Sequence, residues 1–243
     1  MNIAPIWALY FIIAMPRALR TWAHDHVYHV LNRANARATI FGSDKDYLMF
    51  ETILAEAKEK FPMRILAYCI MPNHWHLVLY PDLQQSLPAF MHWVTLTHTQ
   101  RYHAVNETCG MGHIYQGRYK SFLVQTNEYF LQLCRYVERN PLRAELVQRA
   151  EEWRWSSAWR RVHGSKKEQL LLDSWPVAAG SGRNYLEWLN KPQMHEEEHL
   201  AFIRKAAIKG NPLGNAEWVD QVAKQFGLSM TLRSRGRPKK HDV

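Results

Sequence analysis

Two histidines separated by one residue, His74 and His76, are the first residues whose spacing could support chemistry. They occur in an apolar, alternating segment typical of a β-strand, in which positions i and i+2 point to the same face. Both imidazoles would then share one face, with Trp75, Leu77 and Leu79 on the other. Two neutral imidazoles can bind one divalent ion, but a third ligand must come from elsewhere in the fold. The alternative is a partly exposed histidine pair on a sheet surface.

A tyrosine and an asparagine one helical turn apart, Tyr136 and Asn140, form the second candidate group. Side chains at i and i+4 share one face of a helix, and Pro141 ends this helix because proline clashes with a continuing turn. A phenol beside an amide could serve as a nucleophile and a metal ligand. Alternatively, Tyr136 is a core residue of an amphipathic helix and Asn140 is only the stop before the proline.

The charge of the chain points to a polyanionic partner. Its 243 residues include 31 Lys and Arg against 22 Asp and Glu, a formal net charge of +9, and such an excess favours association with polyanions. With 47% hydrophobic residues the composition is that of a globular protein, which excludes disorder, collagen and coiled coil. Three cysteines without a C-x-x-C pair make neither a disulfide framework nor a cysteine-rich zinc site, so we expect a cytoplasmic protein.

The first residues form an apolar run that precedes the positive charges Arg17 and Arg20. A signal peptide carries its positive charge first, and residues 3–15 fall short of the roughly 20 that cross a bilayer. We therefore interpret residues 1–14 as an extension before a start at Met15 and expect no membrane association. Export or anchoring is the alternative.

The order of elements predicts an α+β, ferredoxin-like βαββαβ fold, an antiparallel sheet with helices on one face. Alternation, helical periodicity and turn residues indicate a strand at 24–33, a helix of about 17 residues after Ser43, a hairpin of 63–70 and 74–80, a helix at 86–103, a strand at 114–124 and a helix at 127–140. A further helical segment is predicted at 142–150.

Several motifs, in order, resemble one known family, the REP-associated tyrosine transposases, which are relatives of the single-tyrosine HUH transposases of insertion sequences. The matching segments are VYHVLNRANARATIF, AYCIMPNHWHLVLYP, GHIYQGRYKSFLV, RYVERNPLRAELV and WRWSSAW. The likeness covers residues 15–163 and extends more weakly into NPLGNAEWVDQVAKQFGL and RSRGRPKK. It implies a catalytic domain at 15–163. The composition shift near Gly164-Ser165-Lys166-Lys167 and the loop-like stretch at 174–182 predict a linker at 164–182, followed by a small helical DNA-binding region at 183–232 and a basic tail at 233–243.

The resemblance also implies roles for the candidate residues. His74 and His76 match the two histidines of the HUH motif, and Tyr136 matches the nucleophilic tyrosine. Asn140 falls where insertion-sequence relatives carry a glutamine that completes a Mg²⁺ or Mn²⁺ site, and its side chain is one methylene shorter. Rival nucleophiles, none with a downstream amide just before the helix stop, are Tyr115, Tyr119 and Tyr129.

Basic side chains near these motifs are candidates for contact with phosphates. On or beside the predicted strand and helices they are Arg101, Arg118, Lys120, Arg135, Arg139 and Arg143. In the tail they are Arg235, Arg237, Lys239 and Lys240, around a Gly-Arg-Pro that resembles an AT-hook, which binds a narrow minor groove. The alternatives are solvated charges and, for the tail, a nonspecific electrostatic arm.

By this resemblance, we expect a metal-dependent endonuclease and strand transferase that acts on hairpin-forming single-stranded DNA, such as REP palindromes, through a 5′-phosphotyrosine. The resemblance is compatible with a monomer or a homodimer. One alternative is a DNA-binding protein derived from such a transposase and lacking turnover. Another is a His-x-His metalloprotein acting on small phosphoesters, which leaves the net charge of +9 without a role.

Overall fold

The structure, a computed structural model, describes residues 25–83, 86–177 and 185–233. The predicted extension at 1–14 lies outside the described residues. So do the tail candidates Arg235, Arg237, Lys239 and Lys240.

Four strands form one antiparallel sheet in the spatial order β2-β3-β1-β4. Their bounds are β1 Val27–Arg33, β2 Met63–Met71, β3 His74–Pro81 and β4 Lys120–Val124. Together with the intervening helices this is the ferredoxin-like βαββαβ topology, so the predicted α+β fold is confirmed. The topology places β3, with its histidines, between β2 and β1 in the middle of the sheet.

Two long helices, α1 (Asp44–Lys60) and α2 (Ser86–Val105), pack on one face of the sheet. The start of α1 is fixed by Ser43, whose backbone N–H donates to Asp46 Oδ2 at 2.9 Å. The apolar core between these helices and the sheet includes Phe50, Ile53, Leu54, Phe90, Trp75 and Leu77. The helices of the βαββαβ unit thus lie on one face, as the sequence predicts.

The next helix, α3 (Glu128–Glu138), packs on the opposite face of the sheet. Asn127 caps it, since its Oδ1 accepts a hydrogen bond from the Tyr129 backbone N–H at 3.1 Å. A buried stripe fixes its orientation against β2 and β3: Phe130, Leu133, Cys134 and Val137. This is the face that His74 and His76 occupy, so α3 covers the sheet where the candidate chemistry lies.

Two predicted elements are shorter in the structure. The strand predicted at 114–124 is regular only over β4. Tyr115 forms an isolated antiparallel bridge with Ala34, and the chain bends between that bridge and β4, where the Gly117 carbonyl accepts from Asn32 Nδ2 at 3.2 Å. The helix predicted at 142–150 is a single turn, α4 (Asn140–Arg143). Residues 144–149 continue as turns, not as a helix.

The segment predicted as a linker, 164–182, is bound to the sheet where the structure describes it. Asp173 lies at the edge of β2, where its N–H donates to the Ile65 carbonyl and its Oδ2 accepts from the Ile65 N–H, both at 2.9 Å. These hydrogen bonds pair this part of the segment with an edge strand.

The remaining helices are α5 Ser157–His163, α6 Lys166–Gln169, α7 Tyr185–Asn190, α8 Glu196–Lys209, α9 Ala216–Gln225 and α10 Ser229–Leu232. Ile203 and Leu213 join the core on the α3 face, and Val222 joins the core on the other face. The C-terminal helices therefore pack directly on the sheet domain. Among the described helices, none combines the length and apolar character that crossing a membrane requires.

Candidate active site

The two histidines of β3 point to the α3 face of the sheet, as the strand period predicts. Their ring centroids are 5.1 Å apart and their ring planes nearly perpendicular. His76 is buried and His74 partly exposed, while Trp75, between them, is fully buried in the core of the opposite face. Anchoring Trp75 in that core holds the backbone of the histidine pair.

Hydrogen bonds at the Nδ1 atoms determine which nitrogens face the site. His74 Nδ1 lies 2.7 Å from Asn73 Oδ1, and the Asn73 amide is oriented by its Nδ2, which donates to the Arg37 carbonyl at 3.2 Å. Because an amide oxygen only accepts, His74 carries its proton on Nδ1 and keeps a lone pair on Nε2. His76 Nδ1 lies 2.9 Å from Nε2 of a further histidine, His29, on β1.

Burial keeps these histidines neutral. It lowers the pKa of His74 to about 4, with Arg33 as a further cause, and it lowers the pKa of His29 to about 3. The pKa of His76 lies well below its usual range, first through burial and then through neighbouring cationic and imidazole groups. The neutral imidazole is the form that binds metal ions.

Tyr136 lies against the histidines from the opposite side of the site. It stands on α3, next to the buried stripe of that helix, and its side chain is partly exposed. Its ring centroid is 5.7 Å from that of His76 and 6.1 Å from that of His29, both in edge-to-face geometry. A helix and a strand from different parts of the chain thus bring a phenol and an imidazole pair together.

Asn140 lies just beyond the break between α3 and α4 and lines the same cleft. Its Nδ2 donates to the backbone carbonyls of Tyr136 and Val137, at 3.1 and 3.2 Å. These bonds use the amide nitrogen on the last turn of α3, so Oδ1 is left for another partner.

The donors of the site suit a divalent ion. The hydrogen bonds described above leave the His74 Nε2 lone pair and the Asn140 amide oxygen, and His76 offers a second imidazole; such neutral N and O donors bind first-row divalent cations. Within the described residues, no group of three or more His, Cys, Asp or Glu side chains could hold a metal ion. Any ion here would therefore depend on an amide oxygen, water or substrate oxygens to complete its coordination.

Arg143 packs directly on the candidate nucleophile. Its guanidinium carbon lies 4.5 Å from the centroid of the Tyr136 ring, and its Nη2 donates to the Tyr136 carbonyl at 2.5 Å. Nη1 is buried and has no hydrogen-bond partner among the described residues. A buried donor without a partner is costly, and a phosphate oxygen in the cleft would satisfy it.

These residues line one cleft of about 690 Å³. Its cationic lining residues come from four different elements: Arg33, Lys120, Arg143 and Arg204. No acidic residue of the described chain lines it. Arg204, Ala207 and Ile208 belong to α8, so the C-terminal region forms one wall.

The predicted DNA-contacting residues fall into distinct places. Lys120 and Arg143 line the cleft, and Arg118 is exposed in the loop before β4. Arg101 lies on α2, across the sheet from the histidines, and both of its terminal nitrogens bond the Glu56 carboxylate, at 3.1 and 2.7 Å. Arg101 therefore does not belong to the cleft.

Arg135 and Arg139 are buried inside the protein instead of facing a ligand. Arg139 Nη1 donates to the carbonyls of Leu189 and Asn190 at the end of α7, at 2.6 and 2.9 Å. Both arginines also pair with Glu196, at 3.3 Å. They join α3 to the C-terminal helices and do not face the cleft.

The rival tyrosines lie away from the cleft. Tyr115 is buried on the α1–α2 face, where its hydroxyl bonds Trp75 and His98, at 3.0 and 2.6 Å, and burial raises its pKa. Tyr119 is buried in the same core, and Tyr129 lines a separate pocket beside α8.

Sequence reasoning missed three residues of the site: His29, Arg33 and Arg204. His29 carried one signal, a polar residue among apolar neighbours on one face of β1. Its contact with His76 depends on the pairing of β1 with β3, and the position of Arg204 depends on how α8 docks. Neither is local in sequence.

The fold and the site together define a ferredoxin-like α+β protein with a histidine pair and a tyrosine at a basic cleft. Residues 23–140 match the family described as Transposase IS200 like. Over these residues, just under half of the chain, the sequence is similar to the IS200-like transposases. Transposases cleave and join DNA.

One solved structure agrees on the fold. The structure of a REP-associated tyrosine transposase bound to a REP hairpin is similar with a TM-score of 0.52 and 16% identity, over 74% of this chain and 99% of that one. A proposed transposase from Deinococcus radiodurans R1 is similar with a TM-score of 0.36 and 18% identity, over 51% of this chain and 94% of that one. No curated protein sequence matches the chain.

Proposed function

We propose that the chain is a metal-dependent single-tyrosine endonuclease and strand transferase acting on hairpin-forming, REP-type single-stranded DNA. The observation that carries the proposal is the packing of the Tyr136 ring against His76, at 5.7 Å between centroids, inside a cleft lined by cations. A solved structure of similar fold holds a REP hairpin, which supports this class of substrate.

Tyr136 is the proposed nucleophile. Its phenol oxygen forms a bond to the scissile phosphorus and the P–O3′ bond breaks, which leaves a 5′-phosphotyrosine and a 3′ hydroxyl. The phenol proton goes to solvent and the leaving oxygen takes one up. Because the phosphodiester is kept in the covalent intermediate, the 3′ hydroxyl of another strand can reverse the step without a nucleotide cofactor.

The other residues would bind and orient the substrate. His74, His76 and Asn140 would hold a Mg²⁺ or Mn²⁺ ion, which when bound would polarise the scissile phosphate and stabilise developing negative charge. Arg143, packed on the Tyr136 ring, would stabilise the phenolate that forms during attack. Lys120 and Arg204 would contact phosphates along the cleft.

The proposed setting is the cytoplasm, where cysteines stay reduced. The structure has Cys69, Cys109 and Cys134 as free thiols, with Cys109 exposed.

A covalent adduct tests the proposal. The full chain is incubated with labelled single-stranded hairpin oligonucleotides and Mn²⁺ or Mg²⁺, and the products are separated on a denaturing gel. We expect an adduct that disappears in Tyr136→Phe and with a chelator. Tyr129→Phe, on the same helix but outside the cleft, is the matched control and should keep the adduct.

Two outcomes would contradict the proposal. An adduct that survives Tyr136→Phe would show that another residue is the nucleophile. Tight hairpin binding with no adduct on any REP-type hairpin would instead favour a DNA-binding protein without turnover.

A further inference from the structure

We propose that His29 is a positioning residue for the ion site: it accepts a hydrogen bond from Nδ1–H of His76 and so keeps the Nε2 lone pair of His76 directed at the cleft. The proposal rests on the proposed function, in which His76 binds a cation. His29 itself would touch neither the ion nor the DNA.

The geometry of the pair is that of a fixed contact. His29 lies on β1, which pairs with β3, and it is fully buried. Its ring lies edge to edge with that of His76, with centroids 5.0 Å apart and planes 13° from parallel, and its Nε2 is 2.9 Å from His76 Nδ1. Phe122 and Tyr136 meet the His29 ring edge-to-face at 5.0 and 6.1 Å, so aromatic side chains on two more elements hold it in place.

Two arrangements of the protons would satisfy this contact, and they differ in what His76 can do. If His76 carries its proton on Nδ1 and donates, its Nε2 has a lone pair that can bind a cation. If His29 donates from Nε2, the proton of a neutral His76 must be on Nε2, which then cannot bind a cation. The Oδ1 atom of Asn73, which is the partner of His74 Nδ1, can only accept, so of the two β3 histidines only His76 has this choice.

The charges around the cleft decide between the two arrangements. His76 lines a cleft whose charged lining, in the described chain, is Arg33, Lys120, Arg143 and Arg204, without an acid. A positive potential favours the lone pair of an imidazole over an N–H at that surface. His29 Nδ1 lacks a partner among the described residues in either arrangement, so neither arrangement gains a hydrogen bond at this atom. His29 is therefore the acceptor even before an ion binds.

The tautomer can be measured directly on the metal-free, ¹⁵N-labelled full chain. Long-range ¹H–¹⁵N spectra at neutral pH distinguish a protonated Nδ1 from a protonated Nε2. We expect His76 to be protonated on Nδ1 in the wild type. In His29→Phe, which keeps an aromatic ring but has no acceptor, His76 should become a mixture of tautomers. In His29→Gln, whose amide oxygen can accept, the Nδ1–H form should return.

Ion affinity gives a second measurement. Binding of Mn²⁺ to the full chain without DNA, followed by electron paramagnetic resonance, should weaken by about 10- to 100-fold in His29→Phe, the range seen when such supporting hydrogen bonds are lost, and should largely recover in His29→Gln. The matched control is His98→Phe, which replaces another fully buried histidine on the other face of the sheet. It should leave Mn²⁺ affinity within about twofold of the wild type.

Specific results would overturn the inference. They are a wild-type His76 protonated on Nε2, or a His29→Phe variant that binds Mn²⁺ as tightly as the wild type. An equal loss of Mn²⁺ affinity in His98→Phe would show that the effect comes from disturbed core packing and not from the hydrogen bond. The covalent-adduct assay distinguishes failure of the His29 proposal from failure of the proposed function. If the adduct requires Tyr136 but His29→Phe changes neither the tautomer of His76 nor the Mn²⁺ affinity, only the role of His29 is refuted.

Discussion

The salt dependence of DNA binding is the quantity that the cleft predicts most directly. Each cation that contacts a phosphate releases counterions, so the logarithm of the binding constant falls linearly with the logarithm of salt concentration. Replacing one cleft cation by a neutral residue should make this slope shallower. Lys120→Gln and Arg204→Gln remove cations that line the cleft without packing on Tyr136.

The magnitude follows from the lining of the cleft. Each contact contributes about 0.7 to the slope for a single strand and about 0.9 for a duplex. If Arg33, Lys120, Arg143 and Arg204 all contact phosphates, together they contribute about 2.8 to 3.6. A fourfold rise in salt would then weaken binding by roughly 50- to 150-fold through this cleft. Removing one cation should reduce the slope by about 0.7 to 0.9.

The assay is fluorescence anisotropy of a labelled hairpin with a single-stranded extension, in chelator, over a series of salt concentrations. The comparison is between variants of the full chain, so basic residues elsewhere contribute equally to each. Arg101→Gln is the matched control, because this residue is paired with Glu56 on the other side of the sheet. Slopes unchanged in the Lys120 and Arg204 variants, or equally reduced by Arg101→Gln, would refute the assignment of the cleft as the DNA site.

Three further predictions concern stability. Glu138 is fully buried and binds Arg161. Glu138→Gln should therefore lower the free energy of unfolding, measured by urea titration, by about 3–5 kcal/mol. A loss below about 1 kcal/mol would contradict this estimate. Arg135→Ala should lower the free energy of unfolding by about 2–3 kcal/mol, because this buried arginine binds Glu196 and the carbonyl of Trp188 on α7. The same variant should leave the salt slope of DNA binding unchanged. A shallower slope would mean that Arg135 contacts DNA. Burial lowers the pKa of His98 to about 3, whereas the unfolded histidine titrates near 6.5. Between these two pH values unfolding therefore takes up a proton. From this residue alone, the free energy of unfolding should fall by about 1.4 kcal/mol for each pH unit of acidification. His98→Phe should lose that part of the pH dependence, and parallel pH curves for the two proteins would contradict it.

The elements with strong periodicity could be predicted from sequence. The helix after Ser43 has the predicted 17 residues, Asp44–Lys60, because its apolar stripe, its cap and its acidic first turn all agree. The hairpin around Pro72 and Asn73 also forms as predicted. The common face of His74 and His76 follows from the strand period alone.

The rest depends on contacts that sequence does not encode locally. The strand predicted at 114–124 is regular only over its last residues, because the chain bends between the bridge at Tyr115 and β4. A basic side chain on a helix has the same appearance in sequence whether it meets a phosphate or a buried partner. Arg143 lies at the cleft, whereas Arg139, four residues earlier, is closed in by α7 and Glu196. The docking of the C-terminal helices makes that difference.

Both edges of the sheet are occupied by the chain itself. At β4, Leu213 exchanges backbone hydrogen bonds with Leu123 and Gln125, each at 2.8 Å. At β2, Asp173 pairs with Ile65, and Ile70 N–H donates to the Trp155 carbonyl at 2.9 Å. Unpaired strand edges are a common site of edge-to-edge association between β-proteins. Edge-to-edge joining of the sheets of two copies would therefore first have to displace these segments.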